Sequence, residues 1–130
     1  MHSHKCRVLL VDDHEQIREA LRTLLIAYAD VQIVGEARNG EEAIEQVASC
    51  QPDVILMDTT MPKMNGIQAA TAIKKSWKDP VIIGLCVAHD SYTIEAFLKA
   101  GALAVISKDR LDDLHSMIQR ACVYKGRKSL

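Results

Sequence analysis

A single carboxylate ends the most apolar stretch of the chain, Val54-Ile55-Leu56-Met57-Asp58, and Thr59-Thr60-Met61-Pro62-Lys63-Met64-Asn65-Gly66 follows it. A short continuous apolar run bounded by turn residues has the pattern of a strand buried on both faces. Asp58 therefore stands where that strand leaves the core. An acid there either starts a turn, which Asp does often, or meets a ligand at the carboxyl edge of a sheet, where open α/β folds bind theirs. A second run, Arg7-Val8-Leu9-Leu10-Val11, delivers Asp12 and Asp13 to an equivalent position. Two acids ahead of a helix are also ordinary capping residues. The choice depends on whether the rest of the chain brings these acids together.

The spacing along the chain predicts that it does. After Asp13 the apolar residues Ile17, Ala20, Leu21, Leu24, Leu25 and Tyr28 share one helical face, with Glu15, Arg18, Glu19 and Arg22 mostly on the other. Val31 to Ala37 reads as a strand. Asn39-Gly40 reads as a turn before a helix that turns Ala43, Ile44 and Val47 inward and stops before Pro52. A third helix follows Gly66 through Ile67, Ala70 and Ile73. Val81 to Cys86 is a fourth strand, and Asp90 or Ser91 caps a helix with Ile94, Phe97 and Leu98 inward, closed by Gly101. Ala102 to Ser107 is a fifth strand. Lys108 then leads to a last helix with Leu111, Leu114, Ile118, Ala121 and Cys122 inward, and residues 125–130 read as a basic, turn-like tail.

Five strands alternating with five helices predict an α/β domain with a parallel sheet, helices on both faces and right-handed crossovers. The strands of such a sheet end at one edge. That edge collects Asp12 and Asp13, Asp58, Cys86 and Lys108. Hard oxygen donors that leave room for water and phosphate oxygens suit Mg²⁺. Lys108 adds a compact positive charge for an anion beside the metal. This is the donor set of a phosphoryl-transfer site, with Asp58 as the nucleophile that forms an acyl phosphate.

The ordered set Val11-Asp12-Asp13-His14, Pro52-Asp53-Val54-Ile55-Leu56-Met57-Asp58, Met61-Pro62-Lys63-Met64-Asn65-Gly66, Ala100-Gly101-Ala102 and Lys108 resembles the receiver domain of two-component response regulators. The resemblance covers residues 5–124, the expected receiver domain, and leaves 125–130 as the start of a linker or tail. It implies a flavodoxin-like (βα)5 three-layer sandwich with strand order 2-1-3-4-5. It also implies that Asp58 accepts phosphate from the phosphohistidine of a sensor histidine kinase. Asp13, Asp58 and the backbone carbonyl of Thr60 would hold Mg²⁺, with Asp12 helping through water. Lys108, Thr59 and Cys86 would contact the phosphoryl group. Such a domain promotes only its own phosphorylation and dephosphorylation and is not otherwise an enzyme.

Two positions depart from the family's pattern. Cys86 stands where the family's switch uses a Ser or Thr, and a thiol is the weaker donor. Val105 stands where the companion aromatic is usual. Both are expected to weaken the relay from an intact phosphorylation site, and Cys86 could instead serve as a redox sensor. Asp109 after the lysine and the ending Tyr124-Lys125-Gly126-Arg127-Lys128-Ser129-Leu130 are similar to the NarL/FixJ type, in which a linker and a helix-turn-helix domain follow. DNA contact would belong to that domain. Homodimers in the family pair through either the fourth-to-fifth element face or the first and last helices.

Two other readings compete. A haloacid-dehalogenase-type phosphatase also uses an Asp nucleophile, Mg²⁺ and Lys, but carries D-x-D on its first strand, whereas Asp12 and Asp13 are adjacent. A phosphorylation-independent pseudo-receiver would explain Cys86 and Val105 but not the intact acids and Lys108. The composition of the 130 residues narrows the field further. A net charge of −1 gives no electrostatic footprint for nucleic acid. With no membrane-length apolar run and no signal-peptide pattern, the expected compartment is the cytosol. There Cys6, Cys50, Cys86 and Cys122, with no C-x-x-C spacing, are expected to be reduced, small buried residues. His2 and His4 are expected to fray rather than bind metal.

Overall fold

A computed structural model describes residues 5–61, 65–87 and 90–129, with side chains described as far as Val123. His2, His4, the loop residues Pro62, Lys63 and Met64, and Leu130 lie outside the described residues. The chain alternates strictly: β1 (Cys6–Val11), α1 (Glu15–Leu25), β2 (Val31–Ala37), α2 (Gly40–Cys50), β3 (Val54–Asp58), α3 (Gly66–Ser76), β4 (Val81–Cys86), α4 (Ser91–Lys99), β5 (Ala104–Ser107) and α5 (Leu114–Ser129). A 3₁₀ segment, Lys108–Asp113, joins β5 to α5. The strands form one parallel sheet in the order β2-β1-β3-β4-β5, as the family resemblance implies.

The period-two geometry of each strand sorts its apolar residues onto the two faces. Val8, Leu10, Val54, Leu56, Ile83 and Leu85 point to one side, where Leu21 and Leu25 of α1 and Leu114, Ile118 and Ala121 of α5 cover them. Leu9, Val11, Ile55, Met57 and Ile82 point to the other, under Ala43, Val47, Ala69, Ala70, Ile73 and Phe97 of α2, α3 and α4. Phe97 is fully buried with its ring against Gly84, where a Cβ would come within 2.9 Å of it. The glycine thus makes room for the largest side chain of that layer.

Several expectations are corrected. Arg18 is buried rather than outward, because it serves the Asp12 carbonyl and the Glu36 carboxylate. Ala20 is exposed, because α1 already rests on Leu21 and Leu25 and a methyl adds little. Leu98 is 44% exposed; α4 buries only Phe97 fully, and the next residue points away from the sheet. β5 begins at Ala104 rather than Ala102, because the Ala102 N–H closes α4 by donating to the Phe97 carbonyl at 3.1 Å. Gly101, with φ +115°, donates to Leu98 in the same Schellman turn. Residues 125–129 are not turn-like: α5 continues through Ser129.

The largest correction concerns the cysteines. Cys50 and Cys86 are free thiols, as expected. Cys6 and Cys122, however, form a disulfide with Cα atoms 6.3 Å apart across a sequence separation of 116. Their spacing along the chain gave no sign of this. Only the docking of α5 beside β1 sets the end of the one next to the start of the other.

Phe97→Ala removes a fully buried ring and leaves a cavity over Gly84. It is expected to lower the unfolding free energy by about 3–5 kcal/mol in urea titrations, with the m-value unchanged.

Candidate functional site

Four parallel strands bring their carboxyl ends to one edge, with Val11 in register with Met57, Asp58 with Leu85, and Cys86 with Ser107. The acids that follow β1 and end β3 are thereby neighbours, and Lys108 begins the 3₁₀ segment directly after β5. The Lys108 ammonium lies 2.9 Å from Asp12 Oδ2 and 3.4 Å from Asp58 Oδ1, bridging the two carboxylates. Asp12 and Asp58 are 0% and 3% exposed, and the lysine side chain is 12% exposed. A lysine this enclosed is not the solvated surface cation that a loop position would suggest.

Asp12 is not a helix cap. His14 occupies the N-cap position of α1 without a side-chain cap, and Asp12 Oδ1 instead accepts the His14 N–H at 2.9 Å. That turn aims Asp12 back into the edge. Its carbonyl is anchored by Arg18, whose guanidinium donates to it at 2.7 Å and to Glu36 Oε1 of β2 at 2.8 Å. Arg18 is the positioning residue that reasoning from the sequence placed on the wrong face. The signal was present: Arg18 sits three before Leu21 and seven before Leu25, so helical spacing puts it on their stripe. Its charge argued against the spacing, and the spacing was right.

Asp13 offers the second feature of the site. Its Oδ1 is buried with no hydrogen-bond partner among the described residues. The exposed His14 ring lies beside it, with Nδ1 at 3.2 Å from both Asp12 Oδ1 and Asp13 Oδ1. A buried carboxylate oxygen without a donor is costly unless a cation serves it. Donor atoms of Asp12, Asp13, His14 and Asp58 all lie within 4.8 Å of one another. Three carboxylates facing one lysine leave an excess of negative charge, and their oxygens fit a hard divalent ion such as Mg²⁺.

The local backbone is shaped around Asp58. The Thr59 N–H continues the sheet by donating to the Leu85 carbonyl at 3.0 Å, and Thr59 is buried. The Thr60 N–H turns inward instead and donates to Asp58 Oδ1 at 3.2 Å. Of the two threonines, Thr60 thus aims a backbone donor at the acid, and Thr59 keeps only its hydroxyl for an anion. Gly66 runs close beneath: a Cβ there would collide with the Asp58 carbonyl oxygen and come within 2.8 Å of the Thr59 Cα. Asn65 opens α3 with a capping box, its side chain accepting from the Gln68 N–H while Gln68 accepts from the Asn65 N–H.

Cys86 lies at the end of β4, 1% exposed. Burial, with the charge of Asp90, pushes its thiol up from the ordinary value, and nearby Lys108 offsets part of this. A protonated, enclosed thiol has little of the thiolate character that a redox sensor needs. Val105 is half-buried on the opposite side of β5 from Ile106 and packs into the layer around Phe97 and Gly84. Every described residue singled out from the sequence lies at this edge except Val105, which sits two residues down β5.

Electrostatics follow the geometry. Burial and the Asp12 charge raise Asp58 to about 6, against the Thr60 N–H and Lys108, which both lower it. Burial alone would lower Lys108, but its contacts with Asp12 and Asp58 outweigh that and hold it above its ordinary value.

The sequence profile of the response regulator receiver domain matches residues 8–119. The chain belongs to the response regulator receiver domain family. Within that family it is of the NarL type. It is 41% identical over 102 residues to the transcriptional regulatory protein LiaR of Bacillus subtilis, a match that covers 78% of this chain and 48% of LiaR. It is 40% identical over 107 residues to a protein-glutamate methylesterase of Pyrococcus abyssi, covering 80% of this chain and 28% of that protein. Among solved structures, the receiver domain of NarL from Mycobacterium tuberculosis superposes with a TM-score of 0.83 at 31% identity, covering 92% of this chain and 98% of that one. The chain spans about half the length of LiaR and less of the methylesterase.

Asp58 has a sign opposite to most carboxylates. Its folded value of about 6 exceeds the ordinary 3.8, so its ionisation opposes folding. Its contribution to stability is greatest below pH 4, declines as pH rises to about 6, and is level above that. Asp58→Asn is therefore expected to stabilise the metal-free chain at pH 7 by about 1–3 kcal/mol. The gain should close as pH falls toward 4 and shrink when millimolar Mg²⁺ is added. Denaturant midpoints of both proteins across pH 4–8 measure it.

Proposed function

We propose that this chain is the phosphoacceptor module of a two-component system, phosphorylated on Asp58 by a sensor histidine kinase. The observation that carries the reading is Lys108 bridging Asp12 and Asp58 beside a buried Asp13 oxygen that no hydrogen bond satisfies. An Asp58 oxygen attacks phosphorus in line, and the bond from phosphorus to the kinase imidazole breaks. The imidazole keeps the electron pair and takes a proton, and an aspartyl phosphate results. With a folded value of about 6, Asp58 is mainly ionised at neutral pH, as a nucleophile must be. Lys108 pairs with the phosphoryl oxygens as its hold on Asp58 is given up, and the Thr60 N–H stands ready to donate to the same group. Asp13, Asp58 and the Thr60 carbonyl would hold Mg²⁺, with Asp12 acting through water. When bound, the ion supplies positive charge to the transferring oxygens. Thr59 and Cys86 border the position the phosphoryl group takes.

The same proposal assigns residues 5–124 to the receiver and 125–130 to the start of a linker that prolongs α5. The output is transcriptional, through a DNA-binding domain outside this chain, in keeping with the NarL type and with LiaR. The methylesterase relative shows that similar receivers also serve other outputs. The compartment is the cytosol, where sensor kinases present their phosphohistidine, and no helix of the described residues is long and apolar enough to cross a membrane.

A pseudo-receiver is the second reading, favoured by the buried thiol of Cys86 and by Val105. The two are separated by incubating the chain with acetyl phosphate and Mg²⁺ and recording intact mass. One phosphoryl group per chain is expected, none on Asp58→Asn, and no continuing turnover of a phosphate ester. No added mass on the wild type would sink the phosphoacceptor reading; steady turnover would favour a phosphatase.

Because a thiol rewards the phosphorylated state less than a hydroxyl, beryllofluoride with Mg²⁺ is expected to promote dimerisation only weakly. Cys86→Thr restores one ordinary hydrogen bond and is expected to enlarge that response about threefold to tenfold. Sedimentation velocity reads both. A wild-type response as large as that of the threonine variant contradicts weak coupling.

A further inference from the structure

The Cys6–Cys122 pair has no part in the phosphoryl chemistry. Cys6 opens β1 at the end remote from the acids: Asp12 and Asp13 lie six and seven residues further on, roughly 20 Å away at the rise of a strand. Cys122 lies in α5, seven residues before the end of that helix at Ser129. The bond therefore fastens the middle of α5 to the first residue of β1, at the end of the sheet away from the acids. Cys6 is 7% exposed and Cys122 half-buried, so reagents reach the pair through Cys122. An Asp53 carboxylate oxygen lies within 4.8 Å of both sulfurs, and Asp53 is held there by the Arg7 N–H at 2.9 Å. This negative charge opposes a pair of thiolates more than it opposes a neutral disulfide. The trio of Cys6, Asp53 and Cys122 has no fourth Cys, His, Asp or Glu donor among the described residues, which leaves it short of a closed zinc site.

We propose that Cys6 and Cys122 are a thiol–disulfide modification site whose oxidation state decides whether the middle of α5 is fastened to β1. The proposal rests on the cytosolic placement proposed for this chain, where a disulfide is conditional rather than permanent, and not on the phosphorylation of Asp58. The oxidant is a low-molecular-weight disulfide of the glutathione class. The Cys122 thiolate attacks it, forming a mixed disulfide and releasing one small thiol. The Cys6 thiolate then attacks the Cys122 sulfur, closes the internal bond and releases the second small thiol. Two electrons and two protons pass from the protein to the oxidant. Reduction by two small thiols reverses the sequence.

The test equilibrates the 130-residue chain with glutathione mixtures of graded composition, quenches in acid, unfolds, alkylates and reads intact mass. Four labels are expected on the reduced form and two on the oxidised form, with the remaining cysteines, Cys50 and Cys86, labelled in both. Peptide mapping should join Cys6 to Cys122 in the oxidised form. Amide exchange over residues 116–129 is expected to be about tenfold slower oxidised than reduced. Cys122→Ser, a change at a half-buried site, should exchange at the rate of the reduced wild type under every mixture. Phosphorylation by acetyl phosphate should be equal in the two forms, so failure at Asp58 and failure here are read separately. Two labels at every glutathione ratio would make the bond a permanent staple and overturn the proposal. Four labels at every ratio, or equal exchange in the two forms, would overturn it as well.

Discussion

The ion pair of Lys108 with Asp12 and Asp58 is the interaction on which the site depends. Two almost wholly buried carboxylates at one sheet edge repel each other, and neither has enough water to screen it. The lysine makes their proximity tolerable without fully neutralising it. Asp58 remains raised to about 6, and Asp13 Oδ1 is buried without a hydrogen bond. The excess negative charge left at this edge fits a hard divalent cation. A fully compensated cluster would be more stable and would have less to gain from such an ion.

The fold supplies that frustration by ordinary means. Parallel strands with alternating apolar faces need helices on both sides, and the crossovers leave all carboxyl ends on one edge. Arg18 spans from the carbonyl of Asp12 to Glu36 of β2 and so holds the β1–α1 turn in place from below. Gly66 lets α3 start directly under Asp58, and Gly84 lets Phe97 seal the same layer. None of these three residues carries the chemistry. Each removes a way in which the carboxylates could relax apart.

Cys86 and Val105 are the two positions at which the chain departs from the family's pattern. A buried thiol with a raised ionisation threshold has a weak proton to offer, and a half-buried valine has no alternative rotamer that would change the surface much. The acidic edge thus keeps the family's residues where these two positions do not. The disulfide adds a constraint at the opposite end of the sheet, between α5 and the start of β1.

Much of this was legible in the residues alone. Periodicity determined the five strands and five helices, and the carboxyl-edge rule placed Asp12, Asp13, Asp58, Cys86 and Lys108 together, because in a parallel sheet order along the chain dictates position at the edge. Local capping chemistry was equally readable at Asp90 and Gly101. What the tertiary structure decided was each case in which a distant partner outweighs a local preference. Arg18 turned inward because two acceptors from β1 and β2 waited for it. Leu98 stayed outside because α4 needed only Phe97 to cover the sheet. Cys6 met Cys122 because α5 packs beside β1, and a separation of 116 residues along the chain carries no information about a separation of 6.3 Å in space.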